Sequence, residues 1–418
     1  MILVTGANSL VEGGGAGISS QASAPFRLSL SEVITGEGST VRAFGPALAH
    51  AVGSWRSLYL RHPQVVVDHL DACLASAAPR EQPALWIGHR GLVSALAELG
   101  AAALLDLLDR HGDSCPASLL WARLGDLARV DPERSIAWLE RPEPRAWALR
   151  AGLPRGLLNR VGTLGPAHKL RLARLLGEQP ERLAPLLQVV APGQREALFT
   201  AAFAGQGLAA RLWPDVLLDS LPRALQRREA ARMIALPLVR ADPERSQALA
   251  AYLAPADAEA TLLPALRAAD AELRARAVAR LIACAGRDGR VAPALALLAP
   301  RLRNDQDPVR LQAFTALARA PVGAFVDTDA DALRALVVAA TEARDTSYAT
   351  RQQIQQLAFR LLRGHAERAG EGLFQAGLDL LTLLAGQTGT LQLPDLSRGL
   401  PRRSAPAISS GSAAFSRN

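Results

Sequence analysis

Lysine is almost missing: Lys169 is the single lysine among 47 Lys and Arg residues in a chain of 418. That alone excludes a phosphate loop ending Gly-Lys-Ser/Thr, because Lys169 sits between His168 and Leu170. It also excludes the kinase Val-Ala-Ile-Lys element. The Tyr-x-x-x-Lys pair of short-chain dehydrogenases fails as well, since Gly165 stands four residues earlier. Aromatic residues make up only 4% against 49% hydrophobic residues, so a core must be built from Leu, Ala and Val. Such residues favour close helix packing over sheets, which prefer β-branched and aromatic side chains. Cysteine is scarce too. Cys73, Cys115 and Cys284 lie far apart, form no Cys-x-x-Cys pair and are odd in number. They specify no disulfide framework and fit a reducing compartment. No long apolar run exists: the uncharged, apolar-leaning stretch 197–210, for example, is too short for a bilayer and carries Gly and Gln. The first basic residue is Arg27, with no signal-peptide pattern before it. The expectation is a cytoplasmic, bacterial protein with no membrane contact.

What is abundant is arginine. The formal charge is +8 and the pI about 10.4, which raises the question of a nucleic-acid partner. The charge is spread along the chain rather than blocked. An Arg-, Ala-, Gly- and Pro-rich, Lys-poor composition is also what a GC-rich coding sequence yields for any protein.

The opening VTGANSLVEGGGAGISS looks like a first strand and glycine loop. A dinucleotide loop needs glycines at fixed offsets, for the turn, for pyrophosphate approach and for helix packing. Thr5 and Gly6 fit, but Leu10 and Glu12 occupy the later glycine places. Glu12 would set a carboxylate where a phosphate belongs. Residues 1–40 read instead as a flexible Gly/Ser-rich leader, and 386–418 as a disordered basic tail.

Between them, over 41–385, Leu and Ala recur at three- and four-residue spacing, interrupted by Pro, Gly and Asp. The periodicity predicts helices over 91–110, 117–129, 169–176, 261–268, 273–283 and 351–363, and no alternating strand. The string Asp131-Pro132-Glu133-Arg134-Ser135 returns as Asp242-Pro243-Glu244-Arg245-Ser246, and Asp307-Pro308 is a related opening. Asp caps free amides, Pro at the first helical position loses no bond, and Glu meets the positive end of the dipole.

The clearest internal repeat lies within 262–320. Leu273-Arg274-Ala275-Arg276-Ala277-Val278-Ala279-Arg280-Leu281 aligns with Val309-Arg310-Leu311-Gln312-Ala313-Phe314-Thr315-Ala316-Leu317, an offset of 309 − 273 = 36. Pro264 aligns with Pro300 and Leu266 with Leu302 at the same offset. A Pro in the first helix, an Asp before the second and an aliphatic-Arg-x-x-Ala-x-x-x-Leu run resemble HEAT repeats. The pattern is looser over 217–239, where Pro222, Arg228 and Ala231 take comparable places. The resemblance implies an all-α fold, a right-handed α-solenoid of roughly seven to nine stacked hairpins. It implies a concave face for a partner, since a lone helix pair cannot bury its apolar stripe.

No catalytic constellation emerges. Gly-x-Ser-x-Gly and His-Glu-x-x-His are absent. Gly112-Asp113-Ser114 reads as an interhelix turn whose Asp or Ser caps the next helix. The segment Asp68 to Cys73 with His62 is the best local group for a metal, but consecutive helical residues diverge. His69 and Cys73 are therefore read as an ordinary helix residue and a buried thiol, and no metal or cofactor is expected. The candidate partner-binding face comprises Arg274, Arg276 and Arg310, with Arg280 and Arg319 beside them, all read as pointing outward with Arg274 and Arg310 stacked in a ladder. The expected function is a non-catalytic protein or peptide scaffold. The alternative is a nucleic-acid-binding solenoid, as in HEAT-like DNA glycosylases, with Trp138 and Trp147 as candidate exposed aromatics. The two readings differ in whether the arginines stand unpaired or face carboxylates.

Overall fold

The computed structural model describes residues 54–368 and 372–388. Every regular element among them is a helix. The 1–40 leader lies outside the described residues, and so does the 386–418 tail except for the end of the last helix, which runs to Thr388. The described chain forms two compact units.

The first unit contains 54–206 and Trp213–Leu221. Its helices are α1 (Trp55–Arg61), α2 (Pro63–Ser76), α3 (Gln82–Gly88), α4 (Arg90–Leu99), α5 (Ala101–His111), α6 (Ala117–Leu120) and α7 (Leu124–Val130). They are followed by α8 (Pro132–Leu139), α9 (Pro142–Ala151), α10 (Arg155–Leu158), α11 (Pro166–Leu176), α12 (Pro180–Val189), α13 (Pro192–Ala202) and α14 (Asp215–Ser220). They pack in two rows. One runs α1, α4, α7, α10, α12, α14, and the other α2, α5, α8, α11, α13.

The second unit holds Gly207–Leu212 and 222–388. It contains α15 (Arg223–Ile234), α16 (Pro237–Arg240), α17 (Pro243–Ala250), α18 (Pro255–Leu266) and α19 (Ala271–Arg287). Then come α20 (Ala292–Leu302), α21 (Asp307–Arg319), α22 (Ala330–Glu342), α23 (Tyr348–Gly364) and α24 (Gly372–Thr388). Again there are two rows: α15, α17, α19, α21, α23 in one, and α20, α22, α24 in the other.

The repeat arithmetic explains this packing. Val309, Ala313 and Leu317 are buried on α21, and Ala277 and Leu281 are buried at the matching places of α19. Alanine in mid-stripe lets neighbouring helices come close, and each buried Leu adds about 2 kcal/mol. Pro264 and Pro300 both lie inside the last turn of the helix that precedes the stripe.

The Asp-Pro openings act as their chemistry dictates. The Asp131 and Asp242 carboxylates accept from the backbone N–H of Arg134 and Arg245, each at 3.1 Å. Asp307 departs from that pattern. It sits inside α21 and accepts from Ser347 N (3.1 Å) and Thr350 Oγ1 (2.7 Å) at the start of α23. It therefore braces the next helix rather than its own.

Two helix expectations need correction. The 91–110 segment is two helices: α4 ends at Leu99, and Gly100 leaves the helical conformation at a place where a Cβ would meet the Tyr59 hydroxyl. The 117–129 segment is broken by a 3-10 turn at Trp121–Arg123.

Candidate functional site

The arginines singled out by the repeat are not alike. Arg274 on α19 donates from Nη2 to Asp305 at 2.7 Å and from Nη1 to the Ala268 and Ala269 carbonyls. Arg310 on α21 is 2% exposed. It donates to the Asp305 carbonyl and to the Asp345 carboxylate. The outward direction expected of Arg310 is thus wrong: its side chain lies between the Asp305 carbonyl, in the turn of its own hairpin, and the Asp345 carboxylate, in the turn of the following one. Arg274 and Arg310 do share a neighbour, Asp305, but it binds both of them. Arg276 is more open and faces Glu272 at 3.7 Å. Arg280 donates to Gln247 Oε1 at 2.8 Å. Arg319 is exposed.

The same theme recurs in the first unit without any repeat motif to announce it. Asp71 on α2 accepts from Arg110 (3.1 Å) and pairs with His111 (2.8 Å), both on α5. Asp106 and Asp109 on α5 hold Arg134 of α8, at 2.7 and 2.6 Å. Glu133 of α8 and Glu140 hold Arg171 of α11. Arg171 is held firmly charged, first by its bond to Glu140 and then by Glu133. Beside it lies a groove of about 300 Å³ lined by Glu140, Arg145, Arg171, Arg174 and Leu175. Arg145 pairs with Glu178, while Arg174 is exposed on the rim.

Burial pushes the Asp345 carboxyl up, but the Asp307 N–H and the Arg310 guanidinium outweigh it and hold it below its ordinary value. A depressed carboxyl contributes stability that is present above its unfolded pKa of about 3.9 and fades as the pH falls through its lower folded value. The stability gap between the wild type and Asp345→Asn is therefore expected to be full at pH 6 and to shrink below about pH 4. Urea midpoints followed by circular dichroism across that range check it; a gap independent of pH rules the pairing out as its source.

The aromatic candidates are mostly structural. Trp138 is buried, and Trp147 is half-buried against Trp121 with Arg150 over its face. The Gly112–Ser114 turn is interhelical, as its sequence suggests. Its polar groups turn elsewhere, however: Ser114 accepts from Trp86 Nε1 and Asp113 pairs with Arg141. The free amide of Ala117 at the start of α6 is met by Glu143.

One assembly escapes the sequence reading. His69 and Cys73, four apart on α2, point into the core together with His89 from the junction of α3 and α4. All three are buried, at 5%, 6% and 1% exposure. His69 Nε2 stands 3.3 Å from His89 Nε2 and 3.8 Å from Cys73 Sγ. His89 Nδ1 donates to the Leu85 carbonyl at 2.8 Å. Burial, and then His89, depress His69 to about 4, so the ring is neutral near pH 7. His62 and Asp68 take no part in the group. His69 is thus no ordinary helix residue. The i, i+4 spacing was the available signal; His89 arrives only through tertiary packing.

No protein-family model and no curated protein matches the chain. No helix among the described residues is long and apolar enough to cross a membrane.

Proposed function

We propose that the protein is a non-catalytic, HEAT-like α-solenoid, located in the cytoplasm, that binds a protein or peptide partner along its stacked helices. The observation that carries this reading over a nucleic-acid one is the pairing of the arginines. Arg134, Arg171, Arg274 and Arg310 each spend their guanidinium on carboxylates of a neighbouring hairpin. A phosphate backbone recruits cations by releasing counterions, and cations already neutralised in place release few. The two-row packing within each unit supports the solenoid reading, because units that bury their stripes only against neighbours must stack. The partner face lies on the second unit and consists of the more open Arg276, with Arg274 at its edge. Arg310 is withdrawn from it by its burial.

The test is anisotropy with short duplex and single-stranded DNA over a salt series. Despite the pI of about 10.4, binding at low salt is expected to be weak, with a shallow salt slope. Tight binding that falls steeply with salt would move the protein to the nucleic-acid class. A positive test is affinity capture from the native host with wild type and with the variant Arg276→Glu. Retention of a partner by the first and its loss by the second is the expected outcome.

A further inference from the structure

We propose that His69, Cys73 and His89 form a binding site for a single borderline-soft transition-metal ion of the Zn²⁺ class. The site lies in the first unit, and the inference does not rest on the proposed partner reading.

Geometry comes first. A tetrahedral ion with bonds of about 2.0–2.1 Å to nitrogen and about 2.3 Å to sulfur sets its ligands roughly 3.4 Å apart for N to N and about 3.6 Å for N to S. The His69 Nε2 to His89 Nε2 separation is 3.3 Å and His69 Nε2 to Cys73 Sγ is 3.8 Å. All three ligand atoms lie within 4.8 Å of one another. The third edge therefore needs to shorten by at most about 1.2 Å, within reach of a Cys73 χ1 rotation combined with a slight movement of the His89 ring.

Orientation is the second argument. His89 Nδ1 donates to the Leu85 carbonyl at 2.8 Å. That bond fixes the tautomer, so the Nε2 lone pair points at His69 and Cys73. A ligating histidine typically has its other nitrogen anchored in this way, which holds the ring and raises its basicity. The anchor is built into the backbone, since the same carbonyl also accepts the His89 N–H that closes α3.

The surroundings are the third. Trp55 lies against both rings, with centroids 6.4 Å from His69 and 5.7 Å from His89. Leu70, Leu74, Leu92 and Val93 are buried on the same two helices. Two imidazoles and a thiol in a small, mostly apolar core are a poor choice for packing alone, where Leu or Phe would suffice. They are a suitable donor set for an ion that accepts both nitrogen and sulfur. Binding displaces the Cys73 thiol proton to solvent and the proton shared between the two Nε2 atoms to the His69 Nδ1 side; no redox change is involved. Three protein ligands match the number in sites whose fourth ligand is water or a small molecule.

The experiment uses the full chain, treated with chelator and titrated with Co²⁺, whose absorption reports ligand type. One equivalent is expected to give a thiolate-to-cobalt charge-transfer band and the visible bands of a tetrahedral ion, displaced by one equivalent of Zn²⁺. Cys73→Ala should abolish the charge-transfer band. His89→Ala and His69→Gln should each weaken affinity by more than the roughly 10–100-fold that loss of a ligand's supporting partner costs. Cys115→Ala and Cys284→Ala should leave the spectrum unchanged. A band that survives Cys73→Ala, or no band in the wild type, overturns the site. A second readout needs no variant. Zn²⁺ should slow alkylation of Cys73 in mild denaturant, read by peptide mass, without slowing Cys115 or Cys284. Equal rates at all three thiols with and without Zn²⁺ overturn it too.

Discussion

Gly125→Ala is expected to cost the first unit about 3 kcal/mol, whereas Gly156→Ala, at the same helix crossing, should be neutral or slightly stabilising. The asymmetry follows from where each Cβ would go. On α7, a methyl at Gly125 runs into the carbonyl of Gly156, which is backbone and cannot swing aside. On α10, a methyl at Gly156 meets Ala122 O at 3.5 Å and Gly125 Cα at 3.8 Å, ordinary contact distances. Helix propensity favours Ala over Gly by about 1 kcal/mol in both cases. Only at Gly125 does overpacking exceed that gain. Urea midpoints of the two variants decide the matter. Equal midpoints would mean that α7 and α10 are less closely packed than described.

Asp345→Ala should destabilise the second unit by about 2 kcal/mol, and Arg310→Met by less than about 1 kcal/mol. The Arg310 guanidinium is 2% exposed, so losing Asp345 leaves a buried charge with only the Asp305 carbonyl facing it. The reverse change leaves Asp345, whose side chain is more than half exposed and can turn to water. Methionine fills the stem volume without bringing a charge inside. The double variant is expected to resemble Arg310→Met alone, so the two effects will not add. Additive losses would mean that the two side chains contribute independently.

Much of this architecture is legible in sequence because it rests on short-range rules. The all-helical class follows from Leu and Ala spacing over 41–385. The caps at Asp131 and Asp242 follow from three adjacent residues each. The paired repeat within 262–320 follows from a fixed offset. The features that were not legible depend on a partner far along the chain. Gly100 stands at a helix break where only a residue without a Cβ fits, because Tyr59, from another helix, fills that space. Asp307 resembles a cap for its own helix and serves the next one. Arg310 sits at a repeat position shared with Arg274, yet only Arg310 meets Asp345, which is 35 residues on. The His–Cys group shows the same division. The His69 and Cys73 spacing is visible on one helix, and His89 joins only when α3 and α4 fold against α2.

The bonds from Arg274 to Asp305 and from Arg310 to Asp345 span 31 and 35 residues, and both run toward the C-terminus. Both of these second helices carry a plug four positions past the N-cap, and the hairpin that follows each presents the socket in the turn just before its own second helix, one residue before Gln306 in the first case and two before Ser347 in the second. The extra residues in the longer span are taken up by the turns at Val322–Ala324 and Asp327–Asp329, outside the joint itself. A joint of this kind has a head and a tail. A spliced-in unit that brought its own arginine and its own aspartate would find matching halves on both sides, while one whose arginine was shifted along its helix by a single residue would present an aliphatic side chain to the socket. Length variation in such an array is therefore tolerated in whole units and in turns, and is resisted inside the helices.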